Sequence, residues 1–270
     1  MIHAAILIRL PLPGKNREIS VALMRTTLLF SLALAAACIF AALPNAGADA
    51  GAEPPKPVSR TTREILGWTV RIDDRLLASP NHELGDRAIL LLQAKLNDIT
   101  YVVAPDRLEK LRRVVIVLDL THGKLRSMQY HPSRDWLREN GYSPELTRCV
   151  HIPDAADFAR ARNVNEQPWV VLHELAHAYH DLVLGFDDPR ILRAYEAYKA
   201  GGHGENTLLF DGTKVRHYAL TDHKEFFAEM TESYFGENDF FPFNRAELMT
   251  AEPEIYQLLR TIWGPVQTGK

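Results

Sequence analysis

The stretch that most restricts this chain is Pro168-Trp-Val-Val-Leu-His-Glu-Leu-Ala-His-Ala-Tyr-His-Asp-Leu-Val-Leu-Gly185. Proline suits a first helical turn and glycine the position just past an end, so the segment reads as one helix. His173 and His177 are four residues apart and share a face of it. Two imidazoles so placed can hold one Zn²⁺, and Glu174, about 100° round the helix, lies where a base for zinc-activated water belongs. Leu172, Leu175, Ala176, Tyr179 and Val183 form an apolar stripe on another side. The helix is thus expected to pack one face in a core and turn the other to a cleft.

A zinc site that performs chemistry needs a third protein ligand and one open position. His180 is one candidate. It lies close to the face of His173 but about 4.5 Å further along the axis than His177 at the helical rise, which suits a neighbouring or rim position better. A ligand set of the His-Glu-x-x-His-x-x-Gly-x-x-His kind is excluded, because positions 180 and 183 are His180 and Val183. Glu225 is the stronger candidate. It falls in the first turn of a helix expected over Asp222 to Phe235, with Thr221 as its cap and Phe226, Phe227, Ala228 and Met230 around it. Glu229 stands one turn on, on the same face. Two carboxylates on a partly buried face need a cation or hydrogen-bond donors, which zinc and the free N–H of a ligating histidine would supply. An exposed acidic helix face is the bland alternative.

His173-Glu-x-x-His177, followed by Tyr218, six residues and then Glu225-Phe-Phe-Ala-Glu229, resembles the gluzincin peptidases of the anthrax lethal factor catalytic-domain type, with the Pro-Pro endopeptidases and Mlc titration factor A as relatives. The resemblance covers roughly residues 145–236 and is strongest in the two short motifs. It implies Glu225 as third zinc ligand, Glu229 beside the ligands and Tyr218 as stabiliser of the oxyanion. It also implies a zincin-like α+β domain, with a small mixed sheet, an edge strand for substrate and a mostly helical C-terminal half. The activity it implies is that of a zinc-dependent endopeptidase with one Zn²⁺ per chain and a protein or peptide substrate. A gluzincin-fold binding or regulatory protein with little hydrolysis, and a zinc amidase acting on cell-wall peptide bonds, are the alternatives. Glu174 and Tyr218 are both present, which favours an enzyme.

The rest of the chain fits around that helix. Met24-Arg25, the uncharged run from Leu28 to Leu43, and the small residues of Ala46-Gly-Ala48 and Ala48-Asp-Ala50 have the layout of a signal peptide. Residues 1–50 are therefore read as extension and signal sequence, with Met24 as start and a secreted or periplasmic destination; an uncleaved membrane anchor is the alternative. Cleavage after Ala50 leaves Cys149 alone, read as a buried thiol without a disulfide partner. Residues 51–63, with three prolines, read as a linker, and 64–270 as the catalytic domain. A net charge of −3 gives no case for nucleic acid.

Strands are expected at Trp68–Ile72, Val114–Leu118 and Cys149–Ile152, the last as the substrate strand. Helices are expected at Leu84–Ile99, Pro189–Ala200, Asn244–Met249 and Glu254–Trp263, with a hairpin around Asp211-Gly212. Leu125–Tyr142 reads as irregular. His82, His122, His131, His151, His203, His217 and His223 read as surface or loop histidines, and Phe240, Phe241 and Phe243 as packing residues.

Overall fold

Strands β1 (Arg60–Ile65) and β2 (Trp68–Asp73) open the fold as an antiparallel hairpin. Its two-residue turn puts Leu66 at φ 52° and Gly67 at φ 89°, the twist a tight hairpin requires and the conformation that glycine adopts without strain. Arg60–Arg63, expected to lie in the linker, are therefore four of the six residues of a strand. Four of the six β1 residues are exposed, so its sequence carries the polarity of a tether while its backbone pairs with β2. The structure is a computed structural model and describes residues 53–267. The expected signal sequence lies outside them.

Helix α1 (His82–Val102) buries Ala88, Leu92, Leu96 and Ile99 at helical spacing, and α2 (Pro105–Leu111) follows with proline in its first turn. Together they cross to β3 (Ile116–Leu118), which pairs parallel with β2. Two short elements come next, β4 (Gln129–Tyr130) and α3 (Arg134–Glu139), the helix capped by the Ser133 hydroxyl accepting from the Trp136 N–H. Both fall in the stretch expected to be irregular. Strand β5 (Val150–Ile152) then pairs parallel with β3 and antiparallel with β4. The sheet order is β1-β2-β3-β5-β4. The expectation of a substrate strand at Cys149–Ile152 is thus corrected: β5 is interior and β4 is the edge. β5 is buried throughout, His151 included, because its imidazole donates into Asp119 rather than into water.

The rest is mostly helical. The single-turn helices α4 (Ala155–Phe158) and α5 (Arg162–Asn165) lead into α6 (Val170–Tyr179), which continues as a π-helical turn over His180–Leu184 and closes at Gly185. Helix α7 (Pro189–Gly201) precedes a two-stranded hairpin of β6 (Thr207–Leu208) and β7 (Lys214–Val215), at the expected place. Helix α8 (His223–Phe235) packs on α6, and α9 (Arg245–Ala251) and α10 (Pro253–Trp263) close the fold. Its N-cap is Asp222, not Thr221: the Asp222 carboxylate accepts from the Lys224 and Glu225 N–H groups at 2.8 and 3.0 Å.

The molecule is thus a mixed α/β fold with a small mixed sheet. Its described residues belong to a single compact unit, Ala50–Lys270. Among them, no helix is long and apolar enough to cross a membrane.

The contact between α6 and α8 positions the site. Val171, Leu172, Leu175 and Ala176 of α6 and Phe226, Phe227 and Met230 of α8 are at most 1% exposed. Burying each large side chain contributes about 1.5–3 kcal/mol. Trp169, at the N-cap of α6, lies against Gly236 at the end of α8, where a Cβ would sit 1.9 Å from the indole. Only glycine allows the helices to meet so closely there.

Candidate metal centre

Because His173 and His177 lie one turn apart on α6, their rings face the same side, with centroids 4.8 Å apart. Glu225 comes from the first turn of α8, which Asp222 caps. One oxygen, Glu225 Oε2, lies 3.1 Å from His173 Nε2 and 3.3 Å from His177 Nε2. A tetrahedral zinc about 2.0–2.1 Å from each donor separates its ligand atoms by about 3.3 Å. The two observed separations are those of tetrahedron edges, and two imidazoles with a carboxylate are a donor set that zinc takes. These residues fit the ion.

Glu174 borders the cavity that these residues line but is not one of the three. Its Oε2 accepts from the Tyr130 N–H at 2.7 Å, so the carboxylate is held between α6 and the edge strand β4. Burial pushes its pKa up, against the pull of His177, His173 and the Tyr130 N–H. A carboxyl group moved up towards neutrality is suited to exchanging protons. The Tyr130 hydroxyl donates to Asp181 at 2.7 Å, which pins β4 to the helix a second time.

Behind His173 lie two carboxylates, and their order differs from expectation. Glu229 was the residue expected beside the ligands, but its Oε1 is 3.5 Å from His173 Nδ1, whereas Glu232 Oε1 is at 2.6 Å. Glu232 therefore accepts the Nδ1–H and fixes the tautomer that leaves Nε2 for a metal. Glu225, Glu229 and Glu232 are spaced i, i+4, i+7 on one face, a pattern that extends to Glu232 on the same helical argument. Burial raises both inner carboxyls, and each also feels Asp239. Burial would lower His173, but hydrogen bonds with Glu225 and Glu232 outweigh it and hold the imidazole well above its ordinary value. Glu225 moves the other way: burial is overcome by the two histidines, and its carboxyl stays far below the usual range.

Tyr218 lines the same cavity, about 420 Å³ in volume, as His173, Glu174, His177 and Glu225. It opens a 3₁₀ turn, Tyr218–Leu220, capped by His217, whose Nδ1 accepts from the Ala219 N–H at 3.1 Å. Tyr218 is 47% exposed, and burial with the nearby Glu225 raises its pKa, so the hydroxyl keeps its proton. All five residues expected at the site thus border one cavity.

The other histidines divide differently from expectation. His180 is fully buried against Phe186 and Phe227, with neither ring nitrogen hydrogen-bonded among the described residues, and burial drops its pKa to about 3. It is a core residue, neither ligand nor rim. His217 is also fully buried, stacked on Phe240. His122, His131 and His151, expected at the surface or in loops, surround Asp119 in the interior; the first two do lie in loops, but buried ones. His122 and His151 lie 2.7 and 2.8 Å from the carboxylate, and His131 is 3.1 Å from His151. Asp119 also takes a bidentate Arg60 at 2.7 and 2.8 Å. With its charge balanced and its oxygens filled, this cluster does not fit a cation. Cys149 is buried, as expected.

No protein-family model, curated protein or solved structure matches this chain.

Proposed function

We propose that the protein is a zinc-dependent endopeptidase with a zincin-like domain of the gluzincin type. The observation that carries this reading is the single Glu225 oxygen set at tetrahedral-edge distance from both imidazole Nε2 atoms. His173, His177 and Glu225 would hold the ion, leaving the cavity side open.

Zinc bound there would polarise a peptide carbonyl and lower the pKa of a water. Glu174, the one carboxylate of the cavity wall tied to the edge strand, takes the water proton and returns it to the leaving amine. The Tyr218 hydroxyl, protonated and open to the cavity, donates to the oxygen that becomes negative at the attacked carbon. Strand β4 is the edge of the sheet beside the cavity; its Tyr130 N–H is taken by Glu174, so an extended peptide lying along it would pair with the strand's remaining outward groups. Glu232 holds the His173 ring in place. The reading carries with it an exported protein, consistent with the signal-like segment around Leu28–Leu43.

The test separates binding from chemistry. Glu174→Gln should keep one zinc per chain and lose roughly 10²–10⁴-fold in turnover, because it removes the base and no ligand. Glu225→Ala should lose zinc, because two ligands remain. Zinc content and peptide cleavage, measured side by side, check both. A Glu225→Ala protein that retains full zinc would refute the ligand set, and undiminished cleavage by Glu174→Gln would refute the mechanism.

A further inference from the structure

Beyond His173 the cavity continues between the start of α6 and the loop after α8, and there it becomes acidic. Glu229, Glu232 and Asp239 all line it. Two arginines line the cavity but neither lies within 4.0 Å of these carboxylates: Arg162 pairs with Asp157 at 3.0 Å, though among the described residues its Nε–H is buried without a partner, and Arg126 lies 3.7 Å from Asp154. His173 faces Glu229 and Glu232 but has only two ring nitrogens to offer, one of them turned to Glu225. Among the described residues Asp239 has no ion-pair partner within 4.0 Å, and its side chain accepts only from the Gln167 amide, at 3.2 Å. A second observation points the same way. Among the described residues Glu229 Oε2 has no hydrogen-bond partner, in a residue 4% exposed that borders the cavity; the nearest imidazole atom, His217 Nδ1 at 3.8 Å, already accepts from the Ala219 N–H. A buried carboxylate oxygen with no donor is a standing demand for one.

Part of the remaining wall is apolar, beside the polar Asn163, Gln167 and Arg162. Phe158, Val170 and Phe240 line the same space, and Asp239 itself is 8% exposed. A long aliphatic stem ending in a cation matches both parts: the stem lies along the apolar walls and the charge meets the carboxylates. A metal ion matches less well, because it would have no use for that apolar passage and would compete for His173.

We propose that this end of the cavity is a subsite for a lysine or arginine side chain of the peptide substrate, and that Asp239 selects it. The inference rests on the peptidase reading for its biological meaning, since it names the class of substrate. It predicts cleavage beside basic residues. Asp239 contributes specificity and touches neither the zinc ligands nor the base.

The decisive measurement is binding, which does not depend on turnover. Argininamide and citrullinamide have nearly the same shape and differ in charge. Titrated calorimetrically into the zinc-loaded protein, argininamide should bind at least about tenfold more tightly, the difference expected when one desolvated ion pair of about 1.4 kcal/mol is lost. Asp239→Asn preserves the shape and the Gln167 contact, and should abolish the preference. Asp239→Glu should retain part of it and guards against a folding artefact, as does the melting temperature of each variant. Equal binding of the two amides, no argininamide binding up to millimolar concentration, or a preference that survives Asp239→Asn would overturn the proposal. In parallel, peptides carrying arginine or citrulline at each position around one bond report kcat/KM. Cleavage that ignores the exchange, in an active enzyme, refutes the subsite and leaves the peptidase reading standing. An enzyme that binds argininamide with the stated preference but cleaves no peptide refutes the peptidase reading alone.

Discussion

At the scale of single residues, the partner behind His173 is the point where geometry adds most. Glu232 receives the Nδ1–H of His173 at 2.6 Å, while Glu229 is at 3.5 Å. Glu232→Gln should therefore weaken zinc affinity by roughly 10–100-fold, as loss of a carboxylate behind a metal-bound histidine does, and Glu229→Gln should weaken it less. Competition with a zinc chelator measures both; the reverse ranking would show that Glu229 orients the ring. His173, Glu174 and His177 were legible because one helix supplies all three and its period is fixed. Glu225 was legible from its apolar neighbours. The histidines around Asp119 were not, since burial of an imidazole depends on a partner from a distant strand, and nothing near His122, His131 or His151 announces the Arg60–Asp119 pair. Asp239 was equally hidden, for nothing in its local sequence shows that, among the described residues, it has no ion-pair partner within 4.0 Å.

At the scale of elements, the join between α6 and α8 decides whether the ligands meet. Gly236→Ala would set a Cβ within 1.9–2.4 Å of Trp169 ring atoms, so the indole or the end of α8 must move. The expected cost is about 1–3 kcal/mol, the usual penalty of overpacking, visible as a lower melting temperature. Zinc affinity should fall with it, because Glu225 and His173 ride on the displaced helices. An unchanged melting temperature would show that this contact is not tight. Asp222→Ala, which removes the cap of α8, should cost about 0.5–2 kcal/mol by the same measurement. The long helices were readable from their spacing and their proline and glycine ends. The edge strand was not: β4 has two residues, too few to show a period, and β5 presents the mixed pattern Val-His-Ile that suggests a half-exposed strand. His151 is inside because Asp119 receives it, so alternation misreports the position of that strand. β1 failed for the opposite reason, since an outer strand exposed along most of its length has the composition of a tether.

At the scale of the whole molecule, buried neutral imidazoles make the fold acid-sensitive. Burial holds His131, His180 and His217 down at about 3, His131 with help from His151 and His122. In the unfolded chain each titrates near 6.5. Between those values the unfolded state binds protons that the folded state refuses, so stability is full above about pH 6.5 and falls as pH drops towards 3. Asp119, held far below its ordinary value by Arg60, His122 and His151 despite burial, adds a further loss below the ordinary carboxylate range. Melting temperatures at saturating zinc should therefore decline steadily from pH 7 to pH 4. His180→Leu should flatten part of that decline and leave stability at pH 7 unchanged or higher, because among the described residues neither nitrogen of His180 has a partner to lose. A slope identical to the parent's would mean that His180 does not resist protonation.

The position of Trp263 carries a consequence for biosynthesis. Its ring lies 4.2 Å from Tyr179 at the end of α6 and 5.9 and 5.4 Å from Phe227 and Phe235 of α8, so α10 is the wedge that the two ligand-bearing helices share. The Trp263 N–H also donates to Thr231 at 3.1 Å, and Tyr234 donates to the Gly264 carbonyl at 2.7 Å. A nascent chain makes His173 ninety residues before it makes that wedge. Until residue 264 has left the ribosome, the contact between α6 and α8 lacks the aromatic backing that α10 gives it. The candidate ligand triangle therefore reaches its final support only in the finished polypeptide, and a chain still being synthesised holds His173, His177 and Glu225 on helices without their last packing partner.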